Sequence, residues 1–246
     1  MQKSANFPFI RFQQTLSETM TSTEPSPACL SSGSFVDSDH AEVRQFARDA
    51  VGQASDPAEQ AKRLYYRVRD DFRYDPYTDF VDPKSYRAST CIAEGKGFCI
   101  PKAALMAASA RSLGIPARVG YADVRNHLST ERLLEYLGSD IFIFHGYAEL
   151  YVEGRWVKTT PCFNLSLCER FGVAPLEFDG RTDAMMHPYD MKQRRHMEYL
   201  RQRGVYDDVP FEEILAAMRV AYPVIFKDEG ARISGDFAAE AATRAT

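Results

Sequence analysis

No run of this chain approaches the roughly 18 consecutive apolar residues that a membrane-crossing helix needs. The segment from Met1 to Leu16 lacks a basic stretch followed by an apolar one, so no secretory signal is expected. Cysteines are few and odd in number: Cys29, Cys91, Cys99, Cys162 and Cys168. None forms a CxxC pair or stands beside a histidine at zinc-site spacing, which removes the usual metal reading. An odd set without a signal segment fits free thiols in a reducing compartment better than a disulfide framework. Positive charge is not in excess either. The net charge of −4 argues against a nucleic-acid or anionic-membrane partner. The expectation is a cytoplasmic protein with no metal, no cofactor, no nucleic acid and no membrane, its oligomeric state open.

What is present is ordinary for a globular protein: 246 residues, 45% hydrophobic and 26% charged. That length forms one large or two small domains. Residues 1–38 include a Ser/Thr/Pro-rich stretch from Thr21 to Ser38 and read as a flexible lead-in. Residues 39–180 form the expected core, and 181–246 a helical C-terminal extension.

Within the core, Val43, Phe46, Ala47, Ala50 and Val51 recur at helical spacing. Asp56-Pro57 starts a second helix by N-cap and first-turn logic. Tyr74 to Arg87 reads as a long ordered loop. Cys99–Leu113 is a small-residue helix, apolar on most faces and therefore central, stopped by Gly114 and Pro116. Ala117–Asp123 is strand-like, and Thr130–Tyr136 a short helix ended by Gly138. Ile141–Val152 and Arg155–Asn164 form a hairpin turning at Glu153-Gly154. Pairing Val152 with Arg155 sets Tyr151 against Trp156, Leu150 against Val157, Glu149 against Lys158 and Phe144 against Phe163, all compatible neighbours. Beyond Cys168, helices are expected at Met191–Arg203 and Phe211–Val220, then a fraying tail from Phe237 to Thr246.

Two residues stand out chemically. Cys99 follows Gly95, Gly97 and Phe98 and begins a buried helix, whose unpaired N–H groups and dipole favour a thiolate and can hold an oxyanion. A free cysteine is more often just a small buried residue, and the flanking glycines shift that balance. His145 lies mid-strand. The extrapolated register puts it opposite Cys162, with Thr160 and Asn164 as diagonal neighbours on the same face. A lone histidine is usually a satisfied core residue; a polar trio beside it argues for Cys–His pairing with an orienting third group.

Gly97-Phe98-Cys99, Lys102-Ala103, Ala110-Arg111 and Leu113-Gly114-Ile115-Pro116-Ala117-Arg118 together resemble the nucleophile segment of the transglutaminase-like superfamily. His145-Gly146-Tyr147-Ala148-Glu149 with Gly154-Arg155-Trp156-Val157 is similar to its histidine strand and hairpin. The resemblance covers about Asp56 to Asn164 and implies a papain-like α+β fold, a buried helix packed on an antiparallel sheet. It also implies acyl chemistry through a thioester, with water or an amine as acceptor. The family usually carries aspartate where Thr160 stands. Either Thr160 or Asn164 takes over, Asn164 being slightly favoured, or the pair works as a dyad.

The remaining polar residues read as structural. Asn126-His127 is a surface turn, Glu149 and Lys158 a cross-strand pair, and Arg111 and Arg118 ion-pair formers. Phe178-Asp179-Gly180 is a turn, and Asp183 and His187 read as solvated loop, with metal coordination or substrate recognition as the alternative. The function expected is an amidase, peptidase or small-molecule acyltransferase acting on an amide- or acyl-bearing substrate. The rivals are an inactive binding or scaffold domain, and a redox protein with Cys162 as resolving thiol.

Overall fold

The computed structural model describes residues 24–127, 129–187, 189–226 and 235–243. Helices α1 (Ala41–Val51) and α2 (Pro57–Asp71) come first, and Asp56 caps α2 by accepting from Glu59 N–H. Strand β1 (Arg73–Tyr74) pairs in parallel with β2 (Lys96–Gly97), on either side of helix α3 (Ala88–Glu94). Helix α4 (Cys99–Ser112) follows at once, buried along almost its whole length as its composition requires. Strand β3 (Ala117–Asn126), helix α5 (Glu131–Leu137) and the hairpin of β4 (Ile141–Val152) and β5 (Arg155–Thr159) complete the middle of the chain. Then come α6 (Leu165–Phe171), β6 (Met197–Tyr206), α7 (Phe211–Ala221) and α8 (Phe237–Thr243). The main sheet is antiparallel with order β5-β4-β3-β6. Helix α4 lies between β4 on one side and α1, α2 and α3 on the other, which makes the fold α+β. No described helix is long and apolar enough to cross a membrane.

Lys102 ties this centre together. Wholly buried, it donates from Nζ to the carbonyls of Arg69 at 2.9 Å and Phe72 at 2.6 Å, where α2 ends. A cation there satisfies orphan carbonyls and meets the negative end of the helix dipole.

The hairpin follows the expected register from Val152↔Arg155 to Glu149↔Lys158 and one pair further. Glu153 and Gly154 both take positive φ, +52° and +80°, as a two-residue type I′ turn demands. Beyond Thr159 the ladder stops. Pro161 cannot donate to it, and Thr160 N–H bonds instead to Ala184 O. The expected pairing of Phe144 with Phe163 is absent.

Three further expectations are corrected. Met191–Arg203 is not a helix, because Met197–Tyr206 is β6, the charged edge strand beside β3. From residue 24 onward the lead-in is held rather than loose: the Asp208 carboxylate accepts the N–H groups of Ser34, Phe35 and Val36, and Val36 is fully buried. Residues 1–23 lie outside the described residues. The tail forms α8, where Phe237 packs against Tyr74 and Phe171 at ring separations of 5.5 and 5.8 Å. The end of the tail, 244–246, is also outside the described residues.

Candidate active site

Cys99 is the first residue of α4, preceded by an extended Phe98 whose side chain makes no cap bond. The main-chain N–H groups of Gly146, Ile100 and Cys99 itself point to its sulfur. Gly146 permits this approach. A Cβ there would sit 3.1 Å from Ile100 Cα and 3.2 Å from Cys99 O, tighter than ordinary contact. The helix start was expected to lower the thiol's pKa; burial wins instead and pushes Cys99 up to about 11, despite the three N–H contacts.

His145 sits beside Gly146 on β4, paired with Ala122 of β3. The ladder slips between Ala122 and Val124, and next to His145 the bulky, fully buried Phe144 takes φ +52°. Such a conformation is rare for a non-glycine residue and must be held by its surroundings. Asp123 holds it. Its carboxylate accepts from Phe144 N–H at 3.2 Å and from Arg203 Nε at 2.8 Å. The Arg203 guanidinium in turn lies 4.7 Å from the Phe144 ring centre. This bulge sets the position of His145. The sequence reading missed Asp123, although a lone acid inside an apolar strand was the available signal. Arg203 gave no such sign, having been placed in a helix.

His145 is only 5% exposed, and its Nε2 has no hydrogen-bond partner among the described residues. Burial, with a smaller push from nearby His196, takes its pKa down to about 4. Neither expected third residue serves Nε2. Asn164 occupies the N-cap position of α6 without a side-chain cap bond, its Oδ1 accepting from Tyr74 N–H at 3.0 Å and its amide donating to Ser166 Oγ at 2.8 Å. The Thr160 hydroxyl lies 3.5 Å from Met185 Sδ and beside the Tyr199 phenol. The register that put both beside His145 ends at Thr159, five residues short of the expected Asn164.

Cys99 and His145 line the same cavity, of about 50 Å³, with no Asp, Glu, Lys or Arg in its wall. Cys162 is buried beside this region, its thiol pushed well above the usual range by burial and then by Cys99. All five cysteines are free. Arg118 pairs with Glu149, Nη2 to carboxylate at 2.6 Å, and lies over the Trp156 ring at 4.0 Å. Lys158 is the register neighbour of Glu149, so Arg118 takes the carboxylate that the sequence assigned to Lys158. Arg111 serves main-chain carbonyls of Ser31, Ala117 and Asp207 rather than an acid. His127 Nε2 lies 3.4 Å from Glu198, and Asn126 N–H bonds to Asp140 O. Asp183 accepts from Lys158 N–H; Asp179 closes the expected turn by accepting from the Arg181 and Thr182 N–H groups. His187 and His196 line a separate small cleft with Thr160. Among the described residues no His, Cys, Asp or Glu cluster could hold a metal.

Residues 44–161, just under half of the chain, match the core of the transglutaminase-like superfamily. Two solved structures are similar at low identity. One, from Cytophaga hutchinsonii and described as a "putative cysteine protease", shares 19% identity at a TM-score of 0.43, covering 73% of this chain and 46% of its own. The other, described as a "putative protease" from Parabacteroides distasonis, shares 15% at a TM-score of 0.35, covering 48% and 23% respectively. The chain thus spans less than half the length of either. No curated protein matches it.

Proposed function

We propose that this protein is a cysteine-dependent enzyme of amide or acyl chemistry, with Cys99 as nucleophile and His145 as its base. What carries the reading is the meeting of these two side chains in one uncharged cavity, with the N–H of Gly146 directed at the sulfur. With the thiol held near 11 and the imidazole near 4, the resting pair is neutral at pH 7. Attack on a carbonyl is then coupled to proton transfer: the S–C bond forms as the thiol proton moves to His145. His145 hands that proton to the departing amine or oxygen as the C–N or C–O bond breaks. The N–H groups of Cys99 and Ile100, at the start of α4, are the donors available to the developing oxyanion. Water or an amine then resolves the thioester, giving hydrolysis or transfer.

The test is mass spectrometry of the protein after mixing with activated esters and amides. A mass increment localised to Cys99 that decays with product release is expected, and Cys99→Ala should remove both increment and turnover while keeping the fold. Cys91, Cys162 and Cys168 replaced singly should leave most turnover. The second reading, a binding domain without turnover, draws on the unpartnered Nε2 of His145. It predicts no increment at Cys99 with any donor.

A further inference from the structure

We propose that the cavity beside Cys99 is a pocket for a short aliphatic acyl group, so that the enzyme acts on substrates whose carbonyl carries an uncharged tail of about four carbons. This rests on the reading of Cys99 as the acyl carrier. Helix α5 supplies Leu133 and Leu137 to the wall, α7 supplies Met218, β4 supplies Phe142, and Phe80 and Phe98 come from around the start of α4. All six are apolar, and five are at least 92% buried. A charged or amide-bearing tail entering this space would lose its hydration without a partner.

Two polar neighbours are already engaged. The hydroxyl of Tyr222, directly after α7, accepts from Ile143 N–H at 2.7 Å and donates to Ile141 O at 2.9 Å. That pair of bonds fastens the end of α7 to β4 beside the cavity. The neighbouring Tyr86 hydroxyl donates to Phe80 O at 3.0 Å, which fixes the ring that meets Phe98 edge-on.

Size narrows the class further. On the measure in which one water needs about 10–15 Å³, a cavity of about 50 Å³ takes roughly four atoms of that size. A pentanoyl tail or a leucine-like side chain fits that space. An indole or a long fatty chain does not.

The experiment uses the full-length protein and a series of p-nitrophenyl esters: acetyl, butanoyl, pentanoyl, hexanoyl, octanoyl, and succinyl as the charged counterpart of pentanoyl. In the productive step the Cys99 Sγ–C bond forms and the C–O bond breaks. p-Nitrophenol leaves with the proton passed on through His145, and water releases the acid and restores the thiol. The value of kcat/KM should rise about fourfold per methylene buried, as apolar transfer implies. It should peak near pentanoyl, fall at octanoyl, and be at least tenfold lower for succinyl than for pentanoyl. Met218→Ala should move the peak to a longer chain and Met218→Phe to a shorter one, and Leu133→Ala gives a second enlargement should α7 misfold. A flat length dependence, or succinyl equal to pentanoyl, with Cys99 still acylated, overturns the pocket assignment alone. If no ester acylates Cys99, the acyl-carrier reading fails and this inference falls with it.

Discussion

Asp123 holds the main chain at Phe144: its carboxylate takes the N–H of that residue while the Arg203 guanidinium secures it from the other side. The partner of this contact is the residue immediately before His145. A carboxylate on the neighbouring strand β3 therefore governs where the imidazole stands. Asp123→Ala should cost about 3 kcal/mol, the lower end of what breaking a buried ion pair costs. Asp123→Asn keeps an acceptor for Phe144 and should cost less. Both should lower kcat more than they raise KM, by up to roughly 10²-fold, the scale of an ångström-sized misplacement. Urea unfolding and steady-state kinetics separate the two effects.

The unpartnered Nε2 of His145 leads to a second expectation. If Cys99 and His145 act as a dyad, Asn164→Ala should destabilise by about 2 kcal/mol through the lost contacts to Tyr74 and Ser166. Its effect on kcat should stay below about tenfold, far from the roughly 10⁴-fold that removing a triad's orienting group can cost. Thr160→Val should be mild in both respects. A large kcat loss in either variant at unchanged stability would restore a third member.

A thiol held near 11 gives a definite pH signature. Below its pKa the thiolate fraction grows tenfold per pH unit, so iodoacetamide labelling of Cys99 should climb from pH 6 through 9 without levelling. His145, near 4, stays neutral across that range and is available as base throughout. A labelling rate that is already flat by pH 7 would mean a preformed thiolate–imidazolium pair.

Gly146→Ala probes the seam between β4 and α4. The added methyl meets Ile100 Cα and the Cys99 carbonyl at just over 3 Å, so strand and helix must part slightly. Stability should fall by about 1–3 kcal/mol, as overpacking costs. Turnover should fall at least tenfold as the N–H leaves the sulfur. Circular dichroism and the ester assay above measure both.

Much of this architecture was legible wherever sequence signals are local. Cross-strand pairs and a Glu-Gly turn gave the hairpin register, and an unbroken small-residue segment gave the central helix. Thr160 and Asn164 were expected beside His145 because the register was carried past Pro161, where the backbone can no longer pair. Strand β6 was invisible for a different reason. Met197, Glu198, Leu200, Arg201 and Gln202 are good helix formers, and only the edge of β3, distant in sequence, makes them a strand. The thiol's raised pKa was equally hidden, since desolvation depends on how completely neighbours close over the sulfur.

Lys102 has one more consequence, which bears on self-protection. A thioester is an acyl donor to any free amine within reach, and two amines stand three residues from Cys99 in sequence, that of Lys96 and, along the same helix, that of Lys102. In this fold the Lys102 amine is occupied, its protons given to Arg69 O and Phe72 O at the end of α2. An acyl group carried by Cys99 would therefore meet Lys102, the one lysine of its own helix, with its amine already committed to the end of α2, and Lys96 with its amine 2.8 Å from Asp75 Oδ2.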